Sequence, residues 1–410
     1  MNILQINKFY HIVGGVDRYY LELGRQLEKR GHDLAYFSML DKRNKKTEWS
    51  KYFVSNASFD KPYMFKSLKL FFRMVYFQEA RRKISRLLDN FTPDIAHVHH
   101  IYHQISPSIL FELKKRKIPI IHSVSDFHLI SPHHNNLFHE DHICEVSKNH
   151  KYYMTVLNKC IKNSYIASLA EAVEQYFHYF SGVYLKNIDV FISPSNFMTS
   201  KLKEYGIPNE KLTTLPFFID STHYETKKVF GEYILYFGRL YNEKGLLFLL
   251  KIISLMPEIK LIIAGDGPID SELKNEIIQK KYKNIKIINK FIPEFELNQL
   301  IADSRFVIFP SQSYETFGIS ILEAYATGKT VIASRIGALP EIVKHVETGF
   351  LCESGNKEEF QEHINILWHN PELCRKLGMQ GRELVERFYN PQIHYQKLMR
   401  LYKDVINSII

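Results

Sequence analysis

The stretch ETFGISILEAYATGKTVIAS, from Glu315 to Ser334, combines features of a ligand site with those of a buried fold element. Two carboxylates, Glu315 and Glu323, lie eight positions apart, and a Phe-Gly pair follows soon after the first. The apolar residues after Gly318 predict a helix, and the run TVIAS predicts a buried strand that follows it. A helix that leads into a buried strand is typical of a parallel sheet with crossover helices. The stretch therefore predicts an α/β fold with two acids near the start of a helix.

The spacing of the two acids limits their chemistry. In a fully helical segment, eight residues span ~12 Å, whereas the carboxyl groups of a retaining glycosidase lie roughly 5–5.5 Å apart. One interpretation is that the acids hold two parts of one long ligand by its hydroxyl groups. Backbone amides near Thr316, Phe317 and Gly318 would then point at the same ligand. The alternative is an exposed helix with two surface acids.

Strand and helix patterns alternate through both halves of the 410-residue chain, which is too long for one ordinary core. The first half contains the apolar runs NILQI, DLAYFSM, DIAHVHH, IPIIHSVS and IDVFISPS, and KLTTLPFFID begins a change of domain. The second half repeats the plan with YILYFGRL, IKLIIAGDG, IKIIN, RFVIFPS and TVIAS. We predict an α/β protein of two doubly wound, Rossmann-like domains, residues 1–220 and 221–390, facing each other across a cleft. Ligands bind outside the carboxyl ends of strands in such sheets.

Composition restricts the class of protein. Residues 1–220 carry 30 basic and 21 acidic side chains, so nearly all of the net charge of +10 belongs to them. Anionic lipid, a phosphate-bearing substrate and nucleic acid are candidate partners, but nothing resembles a nucleic-acid module, so we expect no nucleic acid. No apolar run reaches the roughly 18 residues of a membrane span. The absence of a signal pattern and of any CxxC pair among four cysteines predicts free thiols in the cytosol.

Residues 65–90 combine basic and aromatic side chains at helical spacing. The segment reads FKSLKLFFRMVYFQEARRKISRLLDN. A basic amphipathic helix with exposed aromatic residues would lie on an anionic membrane surface. The alternative is a helix packed on the core with a solvated basic face.

Two glycine-containing turns follow predicted strands. In KFYHIVGGVDRYY, Gly14 and Gly15 lie between the first strand and a helix, where a backbone can approach an anion closely. In YFGRLYNEKG, Arg239 and Lys244 follow Gly238 and could together bind a diphosphate. Each pattern also occurs as a plain turn.

Histidines are concentrated in one part of the chain: 11 of the 19 lie between His97 and His150. Their spacing matches neither HExxH nor a CxxC and HxxxH zinc pattern. Metal binding, histidines that line a cleft and chance surface histidines all remain open.

Several of these stretches occur together in one known family. The stretch from Glu315 matches the pattern Glu-x-Phe-Gly-x-x-x-x-Glu-Ala-x-Ala-x-Gly almost position for position. YFGRLYNEKG, IIAGDGP and IGALPEIVKHVETGFLC follow the family order as well. Along nearly its whole length the chain resembles the retaining GT-B glycosyltransferases of family 4, also called glycosyl transferases group 1.

The resemblance implies roles for the matched positions. Arg239 and Lys244 would neutralise the donor diphosphate, Glu315 would bind the transferred sugar, and Glu323 the ribose. The implied catalytic positions are Arg239, Lys244, Glu315 and Asp126. The implied donor-binding positions are Gly14, Gly15, Gly238, Phe291, Ile292, Thr316, Phe317, Gly318, Ile319 and Glu323, with the loop at Phe291 and Ile292 at the base. No metal or other cofactor is expected, because cationic side chains and a helix end replace it.

The implied reaction is retaining transfer of a hexosyl group from a UDP- or GDP-sugar to a glycan or lipid-linked acceptor in surface polysaccharide biosynthesis. The enzyme would be cytoplasmic and peripheral on the inner face of the membrane, with residues 391–410 returning to the first domain. One departure is that SVSD stands where relatives read Thr-x-His-Asp, so Ser125 replaces the histidine while Asp126 is kept. A nucleotide-sugar-binding protein without transfer is therefore an alternative. A Rossmann dehydrogenase fits poorly, because no GxGxxG follows the first strand.

Overall fold

A computed structural model describes residues 1–57, 67–133, 137–227, 231–289 and 292–408. The chain divides into two compact units. The first comprises Met1–Leu137, Glu145–Leu215 and Tyr395–Ile410, and the second comprises Phe138–Cys144 and Pro216–His394.

Short strands and helices alternate along both units. The strands are β1 (Asn2–Ile6), β2 (Asp33–Phe37), β3 (Ile95–Val98), β4 (Ile120–Ser123), β5 (Phe138–His139), β6 (His142–Ile143), β7 (Val190–Ser193), β8 (Leu212–Thr214), β9 (Ile234–Phe237), β10 (Leu261–Gly265), β11 (Ile285–Asn289), β12 (Phe306–Phe309), β13 (Val331–Ser334) and β14 (Gly349–Cys352). The helices are α1 (Gly15–Glu28), α2 (Ser67–Val75), α3 (Gln78–Leu88), α4 (Ser108–Lys115), α5 (Tyr153–Leu157), α6 (Tyr165–Ser181), α7 (Val183–Asn187), α8 (Asn196–Glu204), α9 (Leu246–Ile253), α10 (Asp270–Lys280), α11 (Glu294–Asp303), α12 (Ile319–Ala326), α13 (Leu339–Ile342), α14 (Lys357–His369), α15 (Pro371–Phe388) and α16 (Pro391–Asn407).

Each unit contains one six-stranded parallel sheet. The order is β2-β1-β3-β4-β7-β8 in the first and β11-β10-β9-β12-β13-β14 in the second. The prediction of two doubly wound α/β domains is confirmed. The chain reverses its direction of winding between β1 and β3 in the first sheet and between β9 and β12 in the second. These two reversals are the switch points at which ligands bind in doubly wound sheets.

Four strands were not predicted: β5 and β6, which have two residues each, and β8 and β14, which lie at the edges of the two six-stranded sheets. β8 pairs with β7, so the first part of KLTTLPFFID belongs to the first sheet, and the change to the second unit falls within this stretch, at Pro216. β14 pairs with β13. It lies in IGALPEIVKHVETGFLC, a stretch that was interpreted only as part of the family pattern and not as a strand.

The basic segment 65–90 is not one helix. Within the described part, α2 ends at Val75 and α3 begins at Gln78, with the extended residue Phe77 between them. Helix α3 buries Ala80 and Ile84, so this half packs on the core with a basic outer face. The prediction of a single amphipathic helix is therefore wrong.

Helix α16 is bound to the first unit through aromatic hydroxyl groups. The Tyr402 hydroxyl lies 2.7 Å from His97 Nδ1, and the Tyr395 hydroxyl lies 2.9 Å from His32 Nε2. Tyr402 is fully buried. The last helix therefore completes the packing around β3.

None of the helices in the described part of the chain is both long and apolar enough to cross a bilayer.

Candidate functional site

The turns that follow β9 and β12 meet at the switch point of the second sheet. Gly245 adopts a φ of +71°, and a Cβ there would lie 2.0 Å from the carbonyl oxygen of Pro310. The Gln312 amide donates to the Glu243 carbonyl oxygen at 2.8 Å, which joins the two turns directly. Only glycine permits this approach, so its position in YFGRLYNEKG is explained by packing between the two turns.

Lys244 and Glu315 form an ion pair across these turns. The distance from Lys244 Nζ to Glu315 Oε1 is 2.6 Å, and both side chains are mostly buried. The Ser311 hydroxyl donates to the same carboxylate oxygen at 2.6 Å. The structure thus brings together two of the predicted catalytic residues, which lie 71 positions apart in sequence. Ser311 was not predicted, because a lone serine after a strand gives no sequence signal.

The environment of Glu315 keeps its carboxyl group ionised. Burial alone would raise its pKa, but the charge and hydrogen bond of Lys244 and the hydroxyl of Ser311 outweigh burial and lower the pKa. A carboxylate in this state accepts hydrogen bonds and does not act as an acid at neutral pH. Its main chain is held as well, because the Ala338 amide donates to the Glu315 carbonyl oxygen at 2.8 Å.

Arg239 lies at the carboxyl end of β9 with an exposed side chain. Its guanidinium carbon is 4.9 Å from the centre of the Tyr241 ring, and its carbonyl oxygen accepts a hydrogen bond from the Tyr236 hydroxyl at 2.8 Å. Burial raises the pKa of Tyr236, so that hydroxyl stays a donor. The backbone at Arg239 is thereby fixed while the cation faces outward, next to the turn that carries Lys244.

The start of α12 supplies backbone amides to the same edge of the sheet. Gly318 is the residue before the helix and has a φ of +129°. Thr316 and Ile319 are half-buried beside it. The Phe317 ring is buried against Phe217, with ring centres 5.2 Å apart, so only its main chain can reach a ligand.

Glu323 is buried within α12, with 6% of its surface exposed. It follows Ile319, the first helical residue, by four positions, which is about one turn. Glu315 itself lies outside the helix, so the eight residues from Glu315 to Glu323 are not one helical span. Of the predicted base-contacting residues, Phe291 lies outside the described residues, and Ile292 is half-buried just before α11.

In the first unit, the turn after β1 leads into α1. Gly15 is the first residue of α1 and is exposed, whereas Gly14 precedes it in an extended conformation. The Gly14 amide donates to Asp17 Oδ2 at 3.1 Å, and Asn7 Nδ2 donates to Asp17 Oδ1 at 3.0 Å. The buried Asp17 carboxylate therefore occupies one amide of the predicted anion site, and the amides further into the first turn are the ones that remain for a ligand.

Asp126 belongs to a cluster that also contains His100 and Ser125. His100 Nε2 is 2.8 Å from the Ser125 hydroxyl and 3.2 Å from Asp126 Oδ2. The main chain of His100 is bound to the segment after β1, since its amide donates to Asn7 Oδ1 and its carbonyl accepts from the Lys8 amide. Sequence reasoning missed His100, because its approach to Asp126 depends on β3 and β4 being neighbours. A histidine from the segment that follows the adjacent strand β3 therefore lies beside Ser125, the position at which relatives carry a histidine.

Most of the remaining histidines between positions 97 and 150 that the structure describes are core residues or lie in loops. His97 and His99 stack with ring centres 4.2 Å apart, and His99 Nε2 contacts Gln5. His122 stacks on Tyr184, and burial lowers its pKa to about 4. Ser123 instead contacts His97. His122 and Ser123 therefore point to opposite faces of β4.

His103 is held between two buried carboxylates. Its Nε2 lies 3.1 Å from Glu171 Oε2 and 3.0 Å from Glu174 Oε2. Burial by itself lowers the pKa of His103, but the two carboxylates outweigh it and raise the pKa to about 10. Ligand atoms of His103, His128 and Glu174 also lie within 4.8 Å of one another, as a metal site would require. An imidazolium between two carboxylates explains this cluster without a metal, and the expectation of no metal stays a prediction.

The raised pKa of His103 makes stability depend on pH. The folded state keeps the proton up to a pH of about 10, whereas the unfolded chain loses it near 6.5. We expect the free energy of unfolding to fall as pH rises through this window, by up to about 1.4 kcal/mol per pH unit. Urea unfolding at a series of pH values measures this slope. His103→Gln should flatten it, and the exposed control His369→Gln should not; equal slopes in both variants would contradict the assignment.

Solved structures share this fold along the whole chain. A sucrose-phosphate synthase from Thermosynechococcus elongatus is similar with a TM-score of 0.74, 18% sequence identity and 99% coverage of each chain. Anabaena Alr3699/HepE in complex with UDP and glucose is similar with a TM-score of 0.68, 15% identity, and coverage of 98% of this chain and 99% of that chain. Two parallel six-stranded sheets in this arrangement define the GT-B class of glycosyltransferases, so the fold prediction is confirmed.

Family profiles match both units. Residues 222–384 match the profile described as glycosyl transferases group 1, and residues 13–223 match glycosyltransferase family 4. The chain belongs to the group 1, family 4-like glycosyltransferases. Among relatives, the N-acetyl-alpha-D-glucosaminyl L-malate synthase of Bacillus anthracis is 25% identical over 417 residues, covering 97% of this chain and 96% of that protein. The alpha-maltose-1-phosphate synthase of Mycolicibacterium smegmatis is 25% identical over 186 residues, covering 42% and 48%.

Proposed function

We propose that this glycosyltransferase moves a hexosyl group from a UDP-sugar, or else a GDP-sugar, to a glycan or lipid-linked acceptor with retention at the anomeric carbon. The observation that carries the proposal is the ion pair of Lys244 and Glu315 at the switch point of the second sheet. It places a cation and an ionised acid where a doubly wound sheet binds nucleotides. A UDP complex of a structural neighbour supports the choice of base.

The donor diphosphate would bind between two cations and a helix end. Arg239 offers a planar, exposed guanidinium, and Lys244 offers an ammonium beside it. Amides at the start of α12 add a third source of positive potential. These groups would stabilise the charge that develops as the sugar–phosphate bond breaks, so the proposed reaction needs no metal.

The two acids would bind opposite ends of the donor. Glu315, ionised beside Lys244, would accept hydrogen bonds from the hydroxyls of the transferred sugar. Glu323 would accept from the ribose. In the transfer step the bond from the anomeric carbon to the phosphate oxygen breaks, and the acceptor oxygen bonds to that carbon from the same face. The acceptor hydroxyl proton passes to the departing phosphate, so no protein nucleophile is required.

The first unit would bind the acceptor. Asp126, with His100 and Ser125, forms a polar cluster at the carboxyl ends of β3 and β4. The excess of basic residues in the first 220 positions would favour an acceptor on an anionic membrane, as in surface polysaccharide biosynthesis.

Donor binding can be tested by nucleotide-dependent stabilisation. We expect UDP or its sugar conjugates to raise the melting temperature of the wild type. At a ligand concentration 100 times the dissociation constant, binding increases the free energy of unfolding by about 2.7 kcal/mol. Arg239→Ala should weaken binding about tenfold or more, because a charge-assisted phosphate contact is lost. Arg375→Ala, which removes an exposed arginine from α15 in the same unit, is the matched control.

The proposal would be contradicted if none of UDP, GDP, ADP or their sugars stabilised the wild type.

A second candidate, a nucleotide-sugar-binding protein without transfer, is motivated by Ser125 at the family's histidine position. It predicts stabilisation by the donor with neither transfer nor donor hydrolysis.

A further inference from the structure

Helix α6 has its polar and apolar faces reversed relative to an ordinary surface helix. Its inward face carries Ser168, Glu171, Glu174, Gln175 and His178, all buried. Its outward face carries large apolar side chains. These are Tyr165, Ile166, Leu169, Val173, Phe177 and Phe180, of which Ile166 and Phe180 are 71% and 75% exposed. At 100° per residue they form one stripe about 120° wide.

The stripe continues onto two neighbouring helices. Helix α5 packs on α6 and exposes Tyr153 and Leu157. Helix α2 also packs on α6 and exposes Phe72, with Tyr76 directly after it. We call these outward side chains of α2, α5 and α6 the α6 face. Large apolar side chains exposed on helices that pack together indicate an interaction site, because their exposure to water is unfavourable.

The exposed charges of the segment that carries α5 and α6 have one sign. Between residues 149 and 188 the chain contains four lysines and two acidic residues, and both acids are the buried Glu171 and Glu174. Lys151 and Lys162 are exposed, and the Lys159 ammonium lies 4.7 Å from the centre of the Tyr165 ring. An apolar face with tyrosines and lysines at its edge matches the interface of an anionic bilayer, where aromatic rings and lysines reach the headgroups. A symmetric contact between two copies would instead bring these lysines toward one another.

We propose that the α6 face inserts into the headgroup and upper acyl region of an anionic lipid leaflet and holds the enzyme on the membrane that carries its acceptor. The part of this inference that concerns a lipid-linked acceptor rests on the proposed function. The lipid contact itself follows from the reversed helix. With 17 residues and a buried polar face, α6 would lie in the plane of the interface and would not span it.

Vesicle flotation tests the proposal. The full chain is mixed with vesicles of phosphatidylglycerol and phosphatidylcholine, or of phosphatidylcholine alone. We expect the wild type to float with the anionic vesicles, and Ile166→Ser/Leu169→Ser to lower the partition coefficient about tenfold or more. The matched control is Ile278→Ser/Leu255→Ser, which changes equally exposed residues of the same types in the second unit. It should float like the wild type.

A second pair of variants tests the charge. Lys159→Glu/Lys162→Glu should lower the partition coefficient with anionic vesicles about tenfold or more, because lysines near an anionic surface contribute to binding and glutamates oppose it. Flotation of Ile166→Ser/Leu169→Ser at the wild-type level would overturn the proposal. The proposal would also be overturned if the wild type formed a dimer, Ile166→Ser/Leu169→Ser dissociated that dimer, and neither protein bound vesicles. Because UDP stabilisation is measured without lipid, failure of the lipid contact and failure of the nucleotide proposal are distinguishable.

Discussion

Lys244→Met is expected to lower sugar transfer about a thousandfold, because the substitution removes one of the two cations that we propose stabilise the developing phosphate charge. The same variant leaves Glu315 mostly buried beside Ser311 without its ammonium partner. We expect the free energy of unfolding to fall by about 2–4 kcal/mol as a result, since an uncompensated buried charge is costly. Initial rates with a UDP-sugar and urea unfolding measure the two effects.

A double variant separates catalysis from stability. Lys244→Met/Glu315→Gln removes both charges, so most of the lost stability should return while transfer stays low. The control Lys274→Met breaks an ion pair of 2.7 Å on α10 and should change neither quantity by much. Wild-type transfer by Lys244→Met would show that the pair is structural only.

Gly245→Ala is expected to destabilise the second unit by about 4 kcal/mol or more, because two costs coincide. An alanine at a φ of +71° is strained by about 1–2 kcal/mol. Its Cβ would also lie 2.0 Å from the Pro310 carbonyl oxygen, so the turn that leads to Ser311 and Glu315 has to move. The urea unfolding midpoint of the variant, compared with that of the wild type, measures this loss of stability.

Gly14→Ala is the matched control for this stability measurement. Gly14 has an extended backbone with a φ of −154°, and nothing lies within 4 Å of an added Cβ. We expect its unfolding midpoint in urea to remain close to that of the wild type. A small effect of Gly245→Ala would mean that the β9 and β12 turns separate at little cost, contrary to the packing described above.

The parts of the fold that were predicted correctly have signals within a few residues. Runs such as YILYFGRL and RFVIFPS are buried on both faces and read as strands without knowledge of their neighbours. The residues that follow them then fall at the same edge of the sheet, so Lys244 and Glu315 could be placed together before their distance was known. The family pattern added their chemistry.

What escaped prediction depends on contacts between distant segments. His100 approaches Asp126 only because β3 and β4 are adjacent, and β8 and β14 are edge strands that are recognised only by their pairing with β7 and β13. The orientation of helix α6 could not be predicted for a different reason. Apolar periodicity identifies a helix, but it does not state which face points inward. Here the buried partner of Glu171 and Glu174 is His103, and no local pattern contains that information.

Helix α16 has a consequence for how the protein is made. The contact between Tyr402 and His97 joins positions 305 residues apart, so the ribosome completes the entire second unit before the first can close around β3. Until α16 has been synthesised, the surface of the first unit that contacts Tyr395 and Tyr402 therefore stays uncovered. We expect chains that end prematurely within the second unit to leave this surface uncovered and to be cleaved by proteases faster than the full chain.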